Sequence, residues 1–214
     1  MSEKNIDIQI IKPFGPPIVK VKIPEQLIDK INEYVDNISQ DKEKSKELDH
    51  GSSLAGNVTQ EFKLEPNFMK EIKWGEFLGN IVAQWIFKSI NKKVTKFQIT
   101  SSWIVRQFQN EHNPIHWHGG HISGVGYLKV PNNFGETIQS KKVNSNGRIE
   151  LIHGSRNFLT DSTYRIKPVV GDLYLFPNFL MHTVYPFQNK DGERRSISFN
   201  SRIDSEIYDV YGNY

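Results

Sequence analysis

Apolar and polar residues alternate from Ile6 to Ile11, with Ile6, Ile8 and Ile10 set against Asp7 and Gln9. That period of two predicts a strand. Pro13-Phe14-Gly15-Pro16-Pro17 breaks it, and Ile18–Ile23 predicts a second short strand. Pro24 suits the first turn of a helix, and Leu27, Ile28, Ile31, Tyr34, Val35 and Ile38 then recur at helical spacing. From Ser39 to Gly56 the chain turns polar and small, which reads as a flexible loop. Inside it, Asp41-Lys42-Glu43-Lys44-Ser45-Lys46-Glu47 alternates charge as a solvated segment does. Pro66 opens a second helical region, in which Trp74, Phe77, Leu78, Ile81, Trp85 and Ile86 form one broad apolar stripe. The two tryptophans read as core packing against a sheet, and the helix should end near Asn91-Lys92-Lys93.

After Val94 the period changes. Phe97–Phe108 is strand-like, and short strands recur at 124–130, 149–152, 164–169, 172–176, 183–185 and 196–201. Between them lie Asn and Gly clusters, of which Asn146-Gly147 and Asp191-Gly192 are hairpin signals. Helices first and strands after predict an α+β fold, with the helices packed on one face of a sheet or barrel. We read residues 1–214 as a single domain: helical support with two short strands over 1–95, including the loop near 39–56, and a β half over 96–205.

Composition narrows the chemistry. There is no cysteine, which excludes disulfides, thiolate metal sites and thiol catalysis. Any metal must therefore use imidazole, carboxylate, carbonyl or water. The net charge of +3 is too mild to argue for nucleic acid, and the lysines are dispersed. No run approaches the ~20 apolar residues of a membrane span. No apolar run follows a basic start at the N-terminus, so we expect no signal peptide and a cytoplasmic protein.

Four of the seven histidines fall between residues 112 and 121. Residues two apart on a strand face one side, so His116 and His118 of Pro114-Ile115-His116-Trp117-His118-Gly119-Gly120-His121 would project together, with Trp117 turned away into packing. Such a pair is a natural chelate, though it also occurs as an ordinary surface pair. His182 follows Gly171-Asp172-Leu173-Tyr174-Leu175-Phe176-Pro177 at a strand start and is the candidate third ligand. Three ligands on one face of an octahedron leave positions open. His121 reads as a loop residue, and His112 is less defined. Trp103 and Asn200 lie on predicted barrel strands and could line a pocket.

These segments, with Arg194-Arg195-Ser196-Ile197-Ser198-Phe199-Asn200, carry a resemblance. From about Trp103 to Arg202 the chain resembles the iron(II)/2-oxoglutarate-dependent oxygenases, especially a bacterial and phage group. In that superfamily a His-x-Asp pair, a distal His and an Arg-x-Ser follow in order on a double-stranded β-helix, or jelly roll. The resemblance implies a jelly-roll core with the N-terminal helices against one sheet. It implies Fe(II) on His116, His118 and His182, with 2-oxoglutarate meeting Arg194 through its distal carboxylate, Ser196 beside it and Tyr127 hydrogen-bonding it. It further implies a dioxygenase that hydroxylates a peptidyl side chain or small metabolite with molecular oxygen, releasing succinate and carbon dioxide. Arg195 should point away from Arg194 as a solvated surface residue. A homodimer is one open state.

His118 stands where the family has a carboxylate. Three explanations follow in order: His118 is a true ligand, a carboxylate such as Asp172 or Glu111 serves instead, or the site is inactive. A cupin-type metalloenzyme without 2-oxoglutarate is the first rival, but cupins usually add a glutamate soon after His-x-His, and 119–135 contains no acid. A non-catalytic jelly-roll binding or structural protein is the second.

Overall fold

A computed structural model describes residues 7–11, 15–137, 139 and 143–210; Ile6, Pro13 and Phe14 of the first expected strand and break lie outside them. The described chain folds into two antiparallel sheets. The larger runs in the order β1 (Gln9–Ile11), β2 (Ile18–Lys22), β9 (Asp172–Pro177), β6 (Ile122–Lys129), β11 (Arg194–Ile203), β4 (Phe97–Gln107) and β3 (Gln60–Lys63). The smaller runs β5 (Asn113–His116), β10 (Met181–Val184), β7 (Ile149–Ile152) and β8 (Thr163–Ile166). This is the jelly-roll core, with helices on one sheet.

Each face of the large sheet meets a different partner, and alternation sorts the residues. One face packs on α1 (Glu25–Gln40) and, beyond the short α3 (Pro66–Glu71), on α4 (Trp74–Ile90), where Ile31, Val35, Trp74, Leu78 and Ile81 meet Ile104, Leu173, Ile197 and Phe199. The other face closes on the small sheet through Val125, Tyr127, Ile149, Leu151, Tyr174 and Phe176. Central strands are therefore buried on both sides, as β6 is over all but its last residue. The stripe on α4 behaves as expected: Trp74 and Trp85 are core residues, and Asn91 ends the helix in the left-handed region at φ 54°.

Three expectations needed correction. Ser39–Gly56 is a loop only in its second half: α1 runs to Gln40, α2 occupies Lys42–Glu47, and 48–56 holds just a 3-10 turn at Gly51–Ser53. Asp41 caps α2, accepting from the backbone N–H groups of Glu43 and Lys44 at 3.0 Å each. A short polar segment can thus be helical when capped at its N-terminus. Second, β3 pairs with β4 at the sheet edge, in a stretch where no strand was expected. Third, Arg195 does face away from Arg194, yet it is 1% exposed. Its face of β11 is covered by α1, and water is replaced by partners. Nε donates to Glu193 at 2.8 Å, Nη2 to Asp36 at 2.6 Å, and Nη1 to the Asn32 carbonyl and side-chain oxygens at 3.1 Å each. Glu193 also accepts from Arg106 at 2.7 Å and Lys129 at 2.9 Å. Burial alone would raise the Glu193 carboxyl, but these donors outweigh it and hold it down at about 2.

Candidate metal centre

The small sheet presents the imidazoles. His116 ends β5 directly opposite His182 on β10. His118 lies two residues beyond β5, so its position comes from a loop rather than from strand alternation. Its N–H donates to the Asn178 carbonyl at 3.1 Å, and the Asn178 side chain donates back to the His118 carbonyl at 3.0 Å. The three rings stand 4.3 to 5.0 Å apart by centroid. One nitrogen from each can be chosen so that all lie within 4.8 Å of one another.

Two hydrogen bonds define the tautomers. His116 Nδ1 is 2.7 Å from the Pro114 carbonyl, and His182 Nδ1 is 2.9 Å from the Leu180 carbonyl. A carbonyl only accepts, so each Nδ1 carries the proton and each Nε2 keeps a free lone pair. Burial lowers the basicity of all three. It brings His118 to about 4 and His182 to about 3, helped by the neighbouring imidazoles, and lowers His116 as well. At neutral pH the trio is uncharged, the form that binds a metal.

Arg194 and Ser196 face the trio from the large sheet and line the same cavity, with Trp103, Val105 and Phe176. Arg194 is 1% exposed. Its Nη1 donates to Gln107 at 3.2 Å and, weakly, to Ser196 at 3.4 Å, while Nε and Nη2 have no partner. Its guanidinium lies 5.0 Å over the Tyr127 ring, and the buried Tyr127 hydroxyl is also unpartnered. A buried cation with two idle donors is costly unless an anion meets it. A carboxylate has the matching fork.

The alternative carboxylates are elsewhere. Asp172 pairs with Lys20 at 3.0 Å and Lys22 at 2.5 Å. Glu111 accepts from Thr59 and from the Phe108 N–H. Of the remaining expected residues, Trp103 lines the cavity and stacks edge-on to His118 at 5.6 Å. Asn200 instead bonds Ser123 and Ser101. His121 lies outside the trio, stacked on Tyr208 at 3.9 Å, with its Nδ1 accepting from the Ile203 N–H. His112 pairs through its backbone with Asn57. Trp117 is not packed as expected: it is 66% exposed and, with Ile115, Phe179 and Met181, leaves an apolar rim beside the ligands.

One residue escaped the sequence reading. Glu61 on β3 is 1% exposed and lines a second cavity, shared with His116 and His118. The signal was the alternation of Glu61 and Lys63 with Phe62 and Leu64. It points to a strand, but a polar face is ordinarily assigned to solvent.

Residues 101–200 match the family model described as "Putative 2OG-Fe(II) oxygenase". No protein with a curated description matches the chain. Solved structures with the same fold include a prolyl-4-hydroxylase from Pseudomonas putida, at 13% identity and TM-score 0.54, covering 86% of this chain and 91% of that one. A prolyl hydroxylase from Trichoplax adhaerens, in complex with a hypoxia inducible factor peptide fragment, superposes at 14% identity and TM-score 0.55, covering 94% and 85%. HygX from Streptomyces hygroscopicus, with nickel, 2-oxoglutarate and hygromycin B bound, does so at 12% identity and TM-score 0.54, covering 86% and 82%.

Proposed function

We propose that this chain, whose residues 101–200 match the 2OG-Fe(II) oxygenase family model and whose fold is that of such enzymes, is a dioxygenase built on three histidines. It hydroxylates a peptidyl side chain or a small metabolite. The observation that carries this reading is the pairing, across one cavity, of three neutral imidazoles with a buried guanidinium whose Nε and Nη2 are idle.

His116, His118 and His182 hold the iron. Two carbonyls fix the His116 and His182 tautomers, so the lone pairs are set before metal arrives. Arg194 takes the distal carboxylate of 2-oxoglutarate with its idle donors, Ser196 lies beside it and Tyr127 offers its hydroxyl to the keto acid. Gln107 holds Nη1, which leaves the rest of the fork oriented. With three neutral imidazoles and no ligand carboxylate, a bound iron would keep one more unit of positive charge than a His-x-Asp site with a distal His would leave it. When bound, iron(II) and 2-oxoglutarate supply the oxidising power, reducing dioxygen as the keto acid becomes succinate and carbon dioxide and one oxygen atom enters the substrate. The protein's part is orientation and the exclusion of water: Phe176, Val105 and Trp103 wall the cavity.

The test is anaerobic titration of metal-free protein with Fe(II), then 2-oxoglutarate, read by visible absorption. We expect a weak charge-transfer band that requires both and is lost in His182→Ala and Arg194→Ala. Iron binding without a band would favour a metalloenzyme that does not use the keto acid. No iron binding would make the trio structural.

A further inference from the structure

Buried carboxylates in this chain are ordinarily paired. Glu150 meets Arg165 at 2.8 Å, Asp172 meets two lysines, and Glu193 meets three cations. Among the described residues Glu61 is the exception. It is 1% exposed, and neither of its carboxylate oxygens has a hydrogen-bond partner. The charged groups acting on it are acids, Asp49 and Glu111. Burial and these two neighbours push its carboxyl up to about 7. Leaving such a group unmatched destabilises the folded state, so a fold that keeps it gains nothing in stability from doing so.

Its surroundings say what it is kept for. In the β3–β4 register Glu61 pairs with Val105, whose side chain lines the metal cavity, so Glu61 shares that inward face. The cavity it lines has a volume of about 190 Å³ and is shared with His116, His118, Trp103 and Trp117. That exceeds the size, about 150 Å³, that accepts a benzene-sized guest. Over the carboxylate runs the 51–56 segment, where a Cβ at Gly56 would fall 3.0 Å from Glu61 Oε1 and 2.8 Å from Asn113 Nδ2. Glycine there lets the backbone close over the acid. Glu61 is not a metal ligand, because the cluster of ligand atoms among the described residues comprises the three histidines alone. An unpaired carboxylate and two indoles lining one cavity make a site for an organic cation, which an indole ring can attract.

We propose that Glu61 reads the substrate: it receives a guanidinium or ammonium group in the cavity walled by Trp103 and Trp117, and so sets a nearby C–H bond beside the metal. The proposal rests on the oxygenase reading above. Two idle oxygens suit the planar guanidinium fork best, since it can satisfy both at once.

The test uses protein loaded anaerobically with Fe(II) and 2-oxoglutarate. The probes are Nα-acetyl-L-arginine amide, Nα-acetyl-L-lysine amide and the citrulline analogue, which has arginine's shape without its charge. Binding is read by calorimetry and by perturbation of the visible band. We expect at least one cation to bind about tenfold or more tighter than the citrulline analogue, with the tighter of the two identifying the head group. Glu61→Gln should remove that preference while retaining the band and a melting temperature no lower than the parent's. Trp117→Ala, at an exposed position, should weaken the cation about two- to fivefold. Equal binding of the citrulline analogue, a preference that survives Glu61→Gln, or no cation binding to protein that shows the band would each overturn the proposal and leave the oxygenase intact. Absence of the band would instead overturn the oxygenase reading.

Discussion

Arg194 and Arg195 are successive residues of β11 and are each 1% exposed, but only Arg195 has every guanidinium nitrogen paired. Arg195 looks toward α1 and spends its donors on Glu193, Asp36 and Asn32. Arg194 looks between the sheets and leaves Nε and Nη2 idle over Tyr127. Strand alternation alone separates them, since it sends neighbours to opposite faces. Burial therefore does not distinguish an arginine that holds the fold from one held ready for a ligand; the accounting of its donors does. The same accounting separates Glu193, with three cations, from Glu61, with none.

Breaking the paired side should cost most in stability. Arg195→Met leaves Glu193 and Asp36 short of a partner and should destabilise the protein by about 3–5 kcal/mol in denaturant unfolding. The fraction that folds should keep its affinity for 2-oxoglutarate. Arg194→Met should do the reverse. Unfolding stability should be unchanged or higher, while the keto acid binds roughly thirtyfold more weakly, a loss of about 2 kcal/mol. If both variants lost stability alike, the distinction between the two arginines would fail. A smaller, graded effect belongs to Glu193. Its folded carboxyl titrates near 2, below its ordinary 4.5, so its contribution is complete above 4.5 and is lost as pH falls toward 2. Unfolding midpoints measured across that window should fall with pH in the parent, and more shallowly in Arg195→Met, where the carboxyl has lost one donor.

Much of this was legible in the chain because period carries direction. The stripe on α4 follows from helical period, and the shared face of Arg194 and Ser196 from strand alternation; their place beside His116 and His182 is what the family resemblance implies, and these four line one cavity. What was not legible depended on which elements cover which faces. Arg195 was read as solvated because no local pattern says that α1 lies over it. Trp117 was read as packed because alternation points it away from the histidines, and nothing local says that this side is open. Glu61 is not singled out by the sequence because four residues of alternation are too few to announce β3, and nothing local reveals the cavity behind it. His118 reached its place through a loop held by Asn178, a contact sixty residues away.

The three imidazoles all belong to the small sheet and its flanking loop, and β5 is that sheet's edge, tied to β10 at two register positions with an irregularity between them. A metal joining His116 and His118 to His182 would therefore act as a clasp, fastening a four-residue border strand to its neighbour. Loading the cofactor and finishing the barrel's rim become one event. The lone pairs are already oriented on both strands, so the metal would add a tie between β5 and β10 at the place where the substrate enters.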